Sequence, residues 1–180
     1  MSQNHFTRPI AGEYNPYFDR YIALVPEGDV LALLRSQFDA TLALLRSIPE
    51  SRAGYRYAPD KWTVREVLGH IADTERVFAD RALRIGRGDQ NPLPGFDENV
   101  YVANGAFESA SLDDLIVNYE NVRRSSLSLL SLMDAAAAAR TGTANGAAIS
   151  VRALAHMIAG HEIHHVNLFK TRYAEAFSAE

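Results

Sequence analysis

Two histidines four residues apart, His161 and His165, stand in the stretch Gly160-His-Glu-Ile-His-His-Val-Asn167 near the end of the chain. Four residues is little more than one helical turn, so on a helix both rings leave the same face and their nitrogens can reach a common atom. Stepping about 100° per residue from Leu154 sets Ile158, Phe169 and Ala176 on one side of the pair and Met157 and Leu168 on the other. Both imidazoles therefore lie in the middle of an apolar arc. Burying two polar rings side by side is costly unless something coordinates or hydrogen-bonds them. A divalent metal ion removes that cost, and imidazole is its commonest protein ligand. The competing reading, a satisfied core histidine beside a neighbour at the helix edge, suits a lone ring better than a pair. His164 and His156 fall off this face and are expected among supporting or solvent-facing residues.

A site open to catalysis commonly has three protein ligands and a water, and His70 is the third candidate. It lies at the edge of an earlier apolar arc made by Val64, Val67, Leu68, Ile71, Phe78, Ala82 and Ile85. Glu75 falls inside that arc. It is either a partner or fourth ligand of the metal site, or one half of an ion pair with an arginine such as Arg81 or Arg123, and the sequence leaves both open. His161-Glu-Ile-His-His165 also satisfies H-E-x-x-H, the pattern in which Glu162 would act as the general base of a metallopeptidase. Such an enzyme takes its third ligand from a separate downstream element. Here Glu175 follows ten residues after His165 on what reads as the same helix, about 15 Å along the axis, which is too far. No edge strand is evident to align a peptide, so proteolysis is disfavoured. No catalytic role is assigned to Arg65, Asp73, Glu75, Glu162 or His164.

Four amphipathic segments must position these residues. The first runs from Asp29 to about Ile48, with Val30, Leu33, Leu34, Phe38, Leu42 and Leu45 on one face. The second opens on the capping box Thr63-Val-Arg-Glu66, flanked by Trp62 and Val67 at staple positions, and extends to about Arg87. The third starts at Ser111-Leu-Asp-Asp114 and reaches Met133. The fourth begins after Ser150 and is expected to continue past Tyr173. The run Ala135 to Ala139 is expected to fray into Thr141-Gly-Thr-Ala-Asn-Gly146, and nothing between the segments alternates with period two over strand length, so no sheet of consequence is expected. Four such stripes are buried most simply against one another, which predicts an all-α four-helix bundle. The joint from Gly88 to about Ala110 is dense in turn formers and long for a bundle, and is read as a functional lid or a crossover connection.

The 180 residues suit one domain, 1–180, with 1–25 as an N-terminal extension. Absence of cysteine excludes disulfides, thiolate ligands and a protein-borne thiol nucleophile. A net charge of −4 without a basic stripe argues against nucleic acid as partner. The first residues carry no signal-peptide pattern, and no apolar run approaches a membrane span, so a cytoplasmic protein without membrane attachment is expected.

The segment Lys61-Trp-Thr-Val-Arg-Glu-Val-Leu-Gly-His70-Ile-Ala-Asp-Thr-Glu75, followed by His161-Glu-Ile-His-His165, resembles the DinB-like (YfiT-like) superfamily of metal-dependent enzymes over most of the chain. The resemblance implies a four-helix bundle, commonly homodimeric, with a nickel or zinc ion held by His70, His161 and His165. It also implies a small-molecule substrate, with transfer or isomerisation involving a low-molecular-weight thiol as the leading activity: a thiol S-transferase or thiol-dependent isomerase. The alternatives are a non-catalytic metal or small-ligand binding protein on the same fold, and a metal-dependent hydrolase of H-E-x-x-H type.

Overall fold

Asp29, Thr63, Ser111 and Ser150 each turn a side-chain oxygen onto an amide two or three residues ahead, and each begins a long helix. At Thr63 the capping box is complete: Oγ1 accepts from the Glu66 amide at 3.2 Å, and Glu66 Oε2 accepts from the Thr63 amide at 2.7 Å. The structure, a computed structural model, describes residues 5–177. In chain order its helices are α1 (Asp19–Ile22), α2 (Val30–Arg46), α3 (Val64–Gly86), α4 (Glu98–Asn104), α5 (Leu112–Ser131), α6 (Ala135–Ala139) and α7 (Val151–Thr171). Strands β1 (Thr141–Ala144) and β2 (Ala147–Ser150) lie between α6 and α7.

The long helices α2, α3, α5 and α7 form the four-helix bundle. Both α2 and α3 pack against α5 and α7, so α2 and α3 occupy one diagonal and α5 and α7 the other. Consecutive long helices α2 and α3 are thus not neighbours, and the segments 47–63 and 132–150 cross the ends of the bundle. The segment from Gly88 to Ala110 joins α3 to α5, which do pack together. It carries α4, which packs on α3, and it links neighbouring helices, so it is not a crossover.

Two expectations are corrected. The final helix ends at Thr171 and does not pass Tyr173: the Tyr173 amide bonds five residues back to Leu168 O at 3.1 Å, and a 3₁₀ turn follows at Ala174–Phe177. The stretch after Ala139 is not merely frayed but makes an antiparallel hairpin, Thr141 opposite Ser150 through Ala144 opposite Ala147. Its turn is Asn145-Gly146, with φ of 51° and 74°, the type I′ geometry that matches strand twist. Leu93 adds a bridge beside Ala144.

The N-terminal stretch is built into the bundle. Phe6, Ile22 and Val25 are buried in the core, and α1 lies on α7. That contact needs Gly160: a Cβ there would fall 2.1 Å from the Tyr21 carbonyl oxygen. The apolar core divides into two clusters, one around Leu34, Phe78, Leu130 and Leu154 and the other around Leu45, Leu68, Tyr119 and Phe169. Between them along α3 and α7 lie the buried polar residues His70, Thr74, Glu75, His161, Glu162 and His165. No helix among the described residues is long and apolar enough to cross a membrane.

Candidate metal centre

The i, i+4 spacing on α7 does what the sequence requires of it. His161 and His165 sit on consecutive turns with Nε2 atoms 3.1 Å apart, and α3 brings His70 Nε2 to 3.0 Å from His161 Nε2. All three rings are buried. Three nitrogens about 2.1 Å from one ion stand about 3.4 Å apart in a tetrahedral arrangement and about 3.0 Å apart at right angles, so these separations suit one divalent ion.

The protonation states agree. Burial is the largest cause of depressed basicity at all three rings: His70 falls to about 4, and His161 and His165 fall well below the usual histidine value, with each ring further opposed by its neighbours. Neutral imidazole is the form a metal binds. Hydrogen bonding alone does not account for the cluster. An unprotonated Nε2 has one lone pair, so His161 cannot accept from both neighbours at once, and His165 Nδ1 is buried without a hydrogen-bond partner. An ion shared by the three Nε2 atoms resolves the first conflict.

Surrounding groups hold the rings. Thr74, one turn beyond His70 on α3, places Oγ1 3.4 Å from His70 Nδ1. Trp62 stacks obliquely on His70 with ring centres 4.7 Å apart, so the residue expected as a helix staple also walls the site. Tyr21 packs edge-on to both His161 and His164, at 5.3 and 5.4 Å, and Phe78 meets His161 at 6.3 Å. The histidines line a cleft of about 430 Å³ that also takes in Tyr17, Phe18 and Tyr21 from the N-terminal stretch, Arg81 from α3, Phe96 and Glu98 from the loop, and Asn145, Ala147, Ala148 and Ile149 from the hairpin.

The other sequence candidates separate from this cleft. His164 is half-buried and lines it, while His156 is buried elsewhere and donates from Nδ1 to the Arg152 carbonyl at 2.9 Å. Glu75 belongs to the ion-pair reading: Arg123 donates to it through Nε at 2.9 Å and through a terminal nitrogen at 2.8 Å. Arg81 does not take part. Glu162 points the same way as Glu75, away from the cleft, and accepts from Thr41, Arg123 and Tyr119, the last at 3.1 Å. A general base cannot be committed to three donors on the far side of its helix, so the peptidase role of Glu162 is not supported. Burial alone would lower the Arg123 pKa, but Glu75 and Glu162 outweigh it and raise it, so the guanidinium stays charged. Burial likewise pushes Tyr119 up and keeps it a donor.

Sequence reasoning missed the contribution of the N-terminal stretch and of the hairpin. Asn145-Gly146 was a legible signal for the hairpin. For Tyr17, Phe18 and Tyr21 the one sequence hint is Gly160, a glycine inside a helix, which marks close approach of another segment.

The family model described as DinB superfamily matches residues 33–169. YfiT from Bacillus subtilis, described as a probable metal-dependent hydrolase with an unusual four-helix bundle topology, superposes with a TM-score of 0.70 at 16% identity, over 97% of this chain and 99% of its own. A DinB-like protein from Bacillus subtilis, YjoA, gives 0.62 at 19% identity, over 85% of this chain and 94% of its own. At these identities the two structures speak for the shared fold. No curated protein sequence matches.

Proposed function

Since this chain belongs to the DinB superfamily, we propose that it is a metal-dependent enzyme whose divalent ion, nickel or zinc, is held by His70, His161 and His165, and whose reaction uses a low-molecular-weight thiol. The observation that carries the reading is the convergence of three buried, neutral Nε2 atoms on the wall of a cleft that admits a small molecule. When bound there, a divalent ion supplies a Lewis acid that lowers the pKa of a coordinated thiol or water.

The remaining work falls to the chain. Thr74 and Trp62 fix the orientation of the His70 ring, and Tyr21 and Phe78 close the apolar side of His161 and limit water. Without cysteine the chain offers no sulfur nucleophile, so a thiol must arrive as co-substrate through the cleft. The description of YfiT favours a second reading, hydrolysis with water as nucleophile at the same three histidines. In either case Glu162 stays in its own ion-pair cluster.

Metal-loaded protein incubated with electrophiles such as chlorodinitrobenzene and a panel of bacterial thiols separates the readings. Conjugation that requires both metal and thiol, and is lost in His165→Ala, is the expected result. Metal-dependent cleavage of esters or amides without a thiol would replace it with the hydrolase. Silence across both panels with metal bound would leave a metal-binding protein without turnover.

A further inference from the structure

Arg81 is the unexplained charge of the cleft. It leaves α3 three turns beyond His70, is only 5% exposed, and lines the same cavity as the histidines. A buried guanidinium is ordinarily matched by a carboxylate, as Arg123 is by Glu75 and Glu162. Arg81 has no such partner among the described residues: it makes one hydrogen bond, to the Pro94 carbonyl oxygen at 2.8 Å, and rests 5.8 Å from the centre of the Phe96 ring. Glu98 is the one carboxylate lining the cleft among the described residues, and it forms no ion pair with Arg81. Burial lowers the Arg81 pKa by more than the nearby Asp80 and Tyr101 raise it, as expected for a cation held out of water without a paired carboxylate. Its guanidinium has five N–H donors in a planar fork suited to an oxyanion, and Pro94 takes one.

The cleft that takes in both the histidines and Arg81 carries Phe18, Phe78 and Ile149 on its walls. His70 and Arg81 are eleven residues apart on one helix, about 16 Å along the axis. We propose that Arg81 is the anchor for the anionic end of an elongated substrate, a carboxylate or phosphate whose apolar middle crosses Phe78 and whose other end reaches the histidine cluster. The substrate class is thus an amphipathic organic anion, not a neutral or cationic molecule. This rests on the metal-site reading for what happens at the histidine end, and on Arg81 alone for the charge preference.

A length series of ω-mercaptoalkanoates, the matching ω-mercaptoalkyl phosphates and the neutral mercaptoalkanamides tests it, by calorimetry on metal-free protein and on protein loaded with cobalt(II), whose absorption reports thiolate binding. Wild type is expected to bind the anions at least about tenfold more tightly than the amides, since a charge-assisted hydrogen bond contributes that much. Arg81→Gln should remove the preference without weakening the amides, and Arg81→Lys should keep part of it. The carboxylate and phosphate arms decide which oxyanion is preferred. Equal binding of anions and amides by wild type overturns the proposal, as does a preference retained in Arg81→Gln. Should Arg81→Gln fail to fold, the wild-type ratio and Arg81→Lys still decide. An Arg81-dependent preference in a protein that binds no cobalt would refute the metal site and leave the anion anchor standing.

Discussion

The cluster of Glu75 and Glu162 around Arg123 of α5 and the cluster of His70, His161 and His165 share helices α3 and α7, and they meet burial in opposite ways. In the first, every charge has its partners: both carboxylates accept from Arg123, Glu162 accepts also from Thr41 and Tyr119, and Arg123 donates further to the Leu34 carbonyl at 3.3 Å. In the second, three ring nitrogens face one another across 3.0 and 3.1 Å, and one Nδ1 has no hydrogen-bond partner. A polar cluster that satisfies itself is part of the framework. One that does not is a candidate site for something from outside. His161 and Glu162, adjacent in sequence, belong to different clusters because one residue rotates a helix by about 100°.

The sharpest way to expose the framework role is to remove the arginine. Arg123→Met leaves Glu75 and Glu162 buried without a counter-charge, and a loss of about 3–5 kcal/mol is expected by urea denaturation. The histidine cluster should show its character in acid. Because His70 is held near 4 in the fold, against about 6.5 when unfolded, the unfolded chain takes up the proton first as pH falls. Stability is therefore fully present above the unfolded value and declines as pH drops toward 4, by about 3 kcal/mol for His70 alone. His161 and His165, also depressed, act in the same direction. Denaturation of metal-free protein from neutral pH downward should show this slope, and His70→Gln should flatten it above the carboxylate range.

Smaller effects probe what walls the open cluster. Gly160→Ala forces a methyl against the Tyr21 carbonyl, which should cost about 1–3 kcal/mol and draw Tyr21 off His161, visible as a change in ligand binding at the cleft. Thr74→Val removes the contact on His70 Nδ1 and should weaken metal binding about tenfold with little change in stability.

Much of this comparison was legible in the sequence. The arc around His161 and His165 is a local property of one helix, and so are the caps at Asp29, Thr63, Ser111 and Ser150. His70 at the edge of its arc reads less surely, because reaching His161 depends on how α3 lies against α7. The choice between Arg81 and Arg123 as partner of Glu75 was closed to periodicity for the same reason: it is a contact between helices. Arg81, expected at most as a structural pair, turned out to line the cleft. The wall supplied by Tyr17, Phe18 and Tyr21 comes from residues more than a hundred positions from the histidines they approach, where pattern reading on a single segment has no reach.

The most direct measurement is the metal content of protein prepared without an affinity tag, determined by inductively coupled plasma mass spectrometry for wild type, His161→Ala and Glu162→Gln. About one divalent ion per chain is expected in wild type and in Glu162→Gln, and none in His161→Ala. A wild type without metal, or a His161→Ala variant that retains it, would contradict the three-histidine site.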